Sequence, residues 1–203
     1  AKGNLIHSVD IDIPHPIMMH DFAITEENAI FLDSPMAFNF TGDGGPMVQW
    51  KPENGTRIGV MPRLGQADEI KWYEIESGPV QHFWNAWVNG NRIEISGTRL
   101  ANPEFGMDAQ DDIQDSGADA AAGRPTRYWV DLDKGTAGCE QFDHMGGDFC
   151  RINDNLNGVE TRYHYMSGCY DKEDVMGDFD AIVKYDYKTG KRSRWFSGAT
   201  GHV

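Results

Sequence analysis

Val80-Gln-His-Phe-Trp-Asn-Ala-Trp-Val88, the turn Asn89-Gly90, and Arg92-Ile-Glu-Ile-Ser-Gly-Thr-Arg99 form the stretch that decides the fold class. Two runs rich in aromatic and β-branched residues flank an Asn-Gly pair, and Asn-Gly supplies the positive φ that a tight hairpin requires. The same grammar repeats in both directions. Strands are expected at Met19–Thr25, Ala29–Asp33, Met47–Trp50, Arg57–Pro62 and Ile70–Ile75 before the hairpin. After it they are expected at Arg127–Asp133, Gly138–Phe142, Phe149–Asn153, Arg162–Met166, Ala181–Tyr187 and Ser193–Phe196. Turn signals recur at Glu26-Glu27-Asn28, Asp133-Lys134-Gly135 and Lys188-Thr189-Gly190. The expectation is an all-β chain of short antiparallel strands. Periodicity leaves a sandwich, a barrel and a set of four-stranded propeller blades equally open.

One segment breaks the pattern. Residues 101–125 are rich in Asp, Ala and Gly, with Asp108, Asp111, Asp112, Asp115 and Asp119 and few large apolar side chains, and read as a solvated loop excursion. The spacing of these acids lacks the alternating oxygens, central glycine and closing glutamate of an EF-hand. The 203 residues begin at Ala1 and end in a Gly-rich run, which reads as a single piece, 1–203, of a longer domain.

A formal net charge of −14, from 32 acidic against 18 basic residues, argues against nucleic acid as a partner. No apolar run approaches the roughly 20 residues of a membrane-spanning helix. Cys139, Cys150 and Cys169 are odd in number and show no C-x-x-C spacing, so free thiols in a reducing compartment are the reading.

Of seven histidines, His20 and His82 stand out, because each heads an apolar, aromatic-rich run where a polar ring needs a partner. An imidazole in apolar surroundings loses affinity for its proton, and the neutral ring is the metal-binding form. From the residues alone, two buried histidines bonded to backbone carbonyls explain the pattern as well, and imidazole does not choose among Zn, Cu, Fe and Ni. His7, His15, His144, His164 and His202 carry no such context.

Met18-Met-His20-Asp-Phe-Ala-Ile-Thr25 and His82-Phe-Trp-Asn-Ala-Trp87 resemble segments of the carotenoid cleavage oxygenases, a family that includes carotenoid, apocarotenoid and lignostilbene dioxygenases. Gly59-Val-Met-Pro-Arg63, Glu69-Ile-Lys-Trp72, Asp148-Phe-Cys-Arg-Ile-Asn153, Arg162-Tyr-His-Tyr165 and Val183-Lys-Tyr-Asp-Tyr-Lys-Thr-Gly190 extend the likeness in order. Cys150 stands where the family usually has proline, and Asp148 where glutamate is common. The resemblance implies a seven-bladed β-propeller, of which this chain supplies roughly the middle blades. It implies one Fe(II) per full-length protein held by four histidines, His20 and His82 being the second and third, with O2 as co-substrate. Asp148 would orient His82, and the carboxylate for His20 would lie before residue 1. Phe22, Phe83, Trp84 and Trp87 are candidates for lining a tunnel to an apolar polyene or stilbene, with blade packing as their plainer role.

The implied reaction is oxidative cleavage of a conjugated C=C bond to carbonyl products, with these residues alone inactive. The alternatives are a propeller that binds an apolar polyene without cleaving it, or a calcium-dependent propeller hydrolase. The resemblance is compatible with peripheral membrane contact of the parent protein, and with a cytoplasmic or plastid location.

Overall fold

Antiparallel hairpins are the recurring unit of the described residues. The computed structural model describes residues 3–42, 45, 47–76, 78–100, 123–168 and 179–196. Its strands are β1 (Ala23–Ile24), β2 (Asn28–Asp33), β3 (Met36–Phe38), β4 (Val48–Trp50), β5 (Thr56–Pro62), β6 (Lys71–Ile75), β7 (Val80–Asn89), β8 (Arg92–Leu100), β9 (Gly123–Asp131), β10 (Thr136–Gln141), β11 (Gly147–Arg151), β12 (Tyr163–Gly168), β13 (Ala181–Asp186) and β14 (Lys191–Phe196). They form three four-stranded antiparallel sheets, ordered β1-β2-β5-β6, β7-β8-β9-β10 and β11-β12-β13-β14. A separate β3-β4 hairpin is inserted between β2 and β5. Short 3-10 turns at Pro52–Asn54, Ala67–Glu69 and Asp154–Leu156 are the helical elements of the described residues. The tips at Gly90, Gly135 and Gly190 have φ of 60°, 65° and 69°, the left-handed region in which a side chain is strained.

The all-β expectation therefore holds, with three corrections at element level. The strand expected over Met19–Thr25 shrinks to Ala23–Ile24, because Phe22 spends its amide on the Asp21 carboxylate (2.8 Å) instead of a ladder carbonyl. The short strand β3 was not anticipated. The loop assigned to 101–125 ends too late, since Gly123, Arg124 and Pro125 belong to β9 and pair with Leu100, Arg99 and Thr98. Pro125 fits there for a geometric reason. Its carbonyl accepts from Phe142 N (3.0 Å), so its nitrogen faces the same side, where β10 has already ended at Gln141 and asks for no donor. The remainder of that loop assignment, 101–122, lies outside the described residues.

The β7-β10 sheet lies between the other two. On one side Ile93, Ile95, Tyr128 and Val130 pack against Ile30, Leu32, Ile58 and Val60 of the β1-β6 sheet. On the other, Trp84 packs with Met145, Cys150, Met166, Val183 and Tyr185. Each such aliphatic side chain, fully buried, contributes about 1.5–3 kcal/mol. The parity of β8 follows from this double burial: Ile93 and Ile95 fill one face, while Ser96 and Thr98 turn toward the β11-β14 sheet. The leading strands of the three sheets come together, with β7 packed against both β1 and β11. Whatever those strands carry at their starts is thereby brought to one place.

Candidate metal centre

His82 lies near the start of β7, where the strand is irregular. The ladder with β8 pairs Val80 with Arg99, Phe83 with Gly97 and Asn85 with Ser96, so extra residues are accommodated on the β7 side. Gly97 opposite the irregularity is required by space, since a Cβ there would come within 2.8 Å of the His82 carbonyl oxygen and 3.1 Å of the Phe83 ring. The shift also changes the pleat: Trp84 and Trp87 both turn toward the β11-β14 sheet, while Phe83 and Ala86 pack in the opposite core. Asn85 anchors the arrangement. Its amide donates to Val159 O (2.7 Å) and its oxygen accepts from Gly158 N (3.0 Å), tying β7 to the loop that follows β11.

β11 carries a second irregularity. Asp148 pairs with Ser167 but Arg151 with Tyr165, and within this bulge Phe149 has φ 56°. The bulge leaves Asp148 buried and Phe149 exposed, its ring 5.6 Å from that of His82. Oδ1 of Asp148 accepts from Thr98 Oγ1 at 2.7 Å and from His82 Nδ1 at 3.0 Å. A carboxylate only accepts, so Nδ1 carries the ring proton and the lone pair sits on Nε2. The hydrogen bond to Asp148 raises the His82 pKa, against the opposing effect of burial. Cys150 completes the support, with Sγ 3.6 Å from the His82 carbonyl oxygen and 3.7 Å from Thr98 Oγ1.

His20, in the extended lead-in to β1, is exposed, and its ring meets that of His82 edge-on with centroids 5.0 Å apart and planes at 82°. Among the described residues no carboxylate is bonded to His20, and no group of three or more His, Cys, Asp or Glu side chains is assembled for a metal ion. Two imidazoles, one with its far nitrogen engaged by a carboxylate, fit half of a four-histidine donor set.

The four tunnel candidates separate. Phe22, Phe83 and Trp84 line a cavity of about 170 Å³ together with Asp21, Cys150, Arg151 and Asp154. Phe22 is 55% exposed. Trp84 is 4% exposed, gives its indole N–H to Tyr165 O and is largely used in packing. Trp87, 5% exposed, is not on that cavity and packs edge-on to His164 and Tyr187, so its placement is that of a packing residue.

The profile of the family described as retinal pigment epithelial membrane protein matches residues 1–202. The carotenoid 9,10(9',10')-cleavage dioxygenase 1 of Arabidopsis thaliana is 31% identical over 205 residues, covering 95% of this chain and 36% of that protein. The chain belongs to the carotenoid cleavage oxygenase family. Isoeugenol monooxygenase of Pseudomonas putida is 33% identical over 135 residues, covering 66% of this chain and 28% of that protein. The crystal structure of Pseudomonas brassicacearum lignostilbene dioxygenase superimposes with a TM-score of 0.83 at 23% identity, covering 97% of this chain and 44% of that one. Cobalt-substituted Synechocystis ACO gives 0.76 at 25% identity, over 89% of this chain and 38% of that one. The chain spans about a third of the length of the curated relatives it matches.

Within this carotenoid cleavage oxygenase chain His164, His7 and His144 make ordinary hydrogen bonds. His164 is fully buried between Thr161 Oγ1 (2.9 Å) and Ser96 Oγ (3.4 Å) and stacks on Tyr187, and burial pushes its pKa down to about 4. His7 bonds Gly65 O and His144 bonds Gln141, while His202 lies outside the described residues. Three site residues escaped sequence reasoning: Asp21, Thr98 and Phe149. Thr98 could have been found from its parity with Ser96, and Asp21 from its position directly after His20. Nothing in the sequence signals the positive φ of Phe149.

Proposed function

We propose that this chain forms part of a non-haem Fe(II) site for cleavage of a conjugated C=C bond by O2, in a seven-bladed propeller that holds two further histidines outside the described residues. The overall change adds both atoms of O2 across the alkene, giving two carbonyl groups from one C=C bond. The observation that carries the reading is His82, with Nδ1 engaged by Asp148 and its ring edge-on to His20.

In this reading His20 and His82 hold the ion through ring nitrogens, and iron, when bound, supplies the redox chemistry with O2. Asp148 and Thr98 keep the His82 ring from turning. Exposed Phe149, its ring 5.6 Å from that of His82, and exposed Phe22, two residues after His20, supply apolar surface suited to a polyene or stilbene, while Phe83 serves mainly in packing. The three-sheet stack supports a propeller, since each sheet lays its first strand beside the next. No helix among the described residues is long and apolar enough to cross a membrane, and contact with a membrane surface remains compatible with an apolar substrate. The free thiols Cys139 and Cys150 support a reducing compartment, cytoplasm or plastid.

The test is incubation of the full-length parent protein with Fe(II), 18O2 and a panel of apocarotenoids and stilbenes. Paired carbonyl products, each carrying one labelled oxygen, are expected, with loss in His20→Ala and His82→Ala. A polyene bound without cleavage would replace the catalytic reading with a binding one.

A further inference from the structure

Asp21 joins the two histidine-bearing segments directly. It follows His20, its Oδ1 accepts from Phe22 N at 2.8 Å, and its Oδ2 accepts from Phe83 N at 2.9 Å. Phe83 follows His82 and stands between the two register shifts of β7, where the regular ladder with β8 is interrupted. An amide released from a ladder must find another acceptor, and a carboxylate is the strongest available. Both contacts are to backbone, which moves far less than a side chain would. One planar group therefore spans the residue next to His20 and the residue next to His82.

We infer that Asp21 is a positioning residue that sets the separation of His20 and His82. The carboxylate is oriented along the two backbones, so it steadies the rings without replacing either. No third ligand-type side chain joins the pair among the described residues. Asp148 fixes how the His82 ring turns, whereas Asp21 fixes how far its strand stands from that of His20. The inference rests on reading the pair as a metal site, yet the clamp itself is measurable without metal.

The experiment compares 15N-labelled wild type with Asp21→Ala and Asp21→Asn. Three quantities are read: exchange of the Phe83 amide, ring-to-ring cross-relaxation between His20 and His82, and Co(II) affinity. In Asp21→Ala the Phe83 amide should exchange at least about 10-fold faster, the ring cross-peak should vanish and Co(II) affinity should fall about 10-fold or more. Asp21→Asn keeps one oxygen, which can still hold Phe83 N but turns its NH2 toward Phe22 N, and should fall between wild type and Asp21→Ala on both scales. Should Asp21→Ala not fold, Asp21→Ser is read instead, since its hydroxyl can still meet Phe22 N but is too short for Phe83 N.

Unchanged Phe83 exchange with an intact cross-peak in Asp21→Ala would overturn the inference. So would an Asp21→Asn variant as impaired as Asp21→Ala. Co(II) affinity indifferent to both His20→Ala and His82→Ala would instead remove the metal-site reading, and the two metal-free measurements would still judge Asp21.

Discussion

Nδ1 of His82 lies 3.0 Å from Oδ1 of Asp148, a bond that links the first strand of one sheet to the first strand of the next. The same oxygen accepts from Thr98, so ring orientation and sheet docking share one acceptor.

Replacing Asp148 with Ala should leave the His82 ring free to rotate and to exchange tautomers. Supporting groups of this kind typically change metal affinity by about 10 to 100-fold. Titration of the variant with Co(II) or Fe(II) should show a loss in that range. Affinity equal to wild type would mean that His82 is oriented by something else.

Thr98→Val preserves shape and removes one donor to a buried carboxylate. Hydrogen bonds to charged groups contribute about 1.5–3 kcal/mol. Urea unfolding should show a lower midpoint at unchanged slope, corresponding to a stability loss of that size, and a loss below about 0.5 kcal/mol would show that Thr98 Oγ1 is not a real partner of Asp148.

Burial holds His164 neutral, with its pKa lowered to about 4 from 6.5. In the unfolded chain the ring takes up a proton below about pH 6.5, whereas in the folded protein it does so only near pH 4. The unfolded state therefore binds more protons across this window, and stability falls as pH drops through it. The full loss attributable to this residue is roughly 3 kcal/mol. Denaturant unfolding from pH 7 to pH 4 should show the slope in wild type and a flatter one in His164→Gln. Equal slopes would assign the acid sensitivity elsewhere.

Phe149 places an aromatic side chain at φ 56°. A non-glycine residue in this region costs about 1–2 kcal/mol. Phe149→Gly and Phe149→Ala both lose the ring contacts with His82 and Phe179, so their difference isolates the backbone cost. Thermal denaturation should rank Phe149→Gly above Phe149→Ala by about 1 kcal/mol, and the reverse order would show that the bulge relaxes when the ring is removed.

Much of this was legible because hairpins are local. Asn89-Gly90 and Lys188-Thr189-Gly190 announce their turns within a few residues, and β7, β8 and β13 fall within a residue or two of expectation. What stayed hidden depends on partners distant in sequence. Pro125 reads as a loop residue until the end of β10 is known. Trp87 reads as a tunnel candidate until the irregularities of β7 shift its phase. His82 and Asp148 were named through the family resemblance, but Thr98 and Asp21 act only because strands 50 and 62 residues away arrive beside them. An unbroken pleat is the default for any strand read from sequence, and the site is built where the pleat is broken.

His20, His82 and Asp148 each belong to the leading segment of a different sheet, so none of these sheets owns the centre. The centre is a seam. Its geometry will fail when the sheets slide against each other, even while every hairpin stays intact. Loss of the His20 to His82 ring contact should then precede loss of strand signal on heating, which makes the two histidines a sensitive gauge of how the sheets are docked.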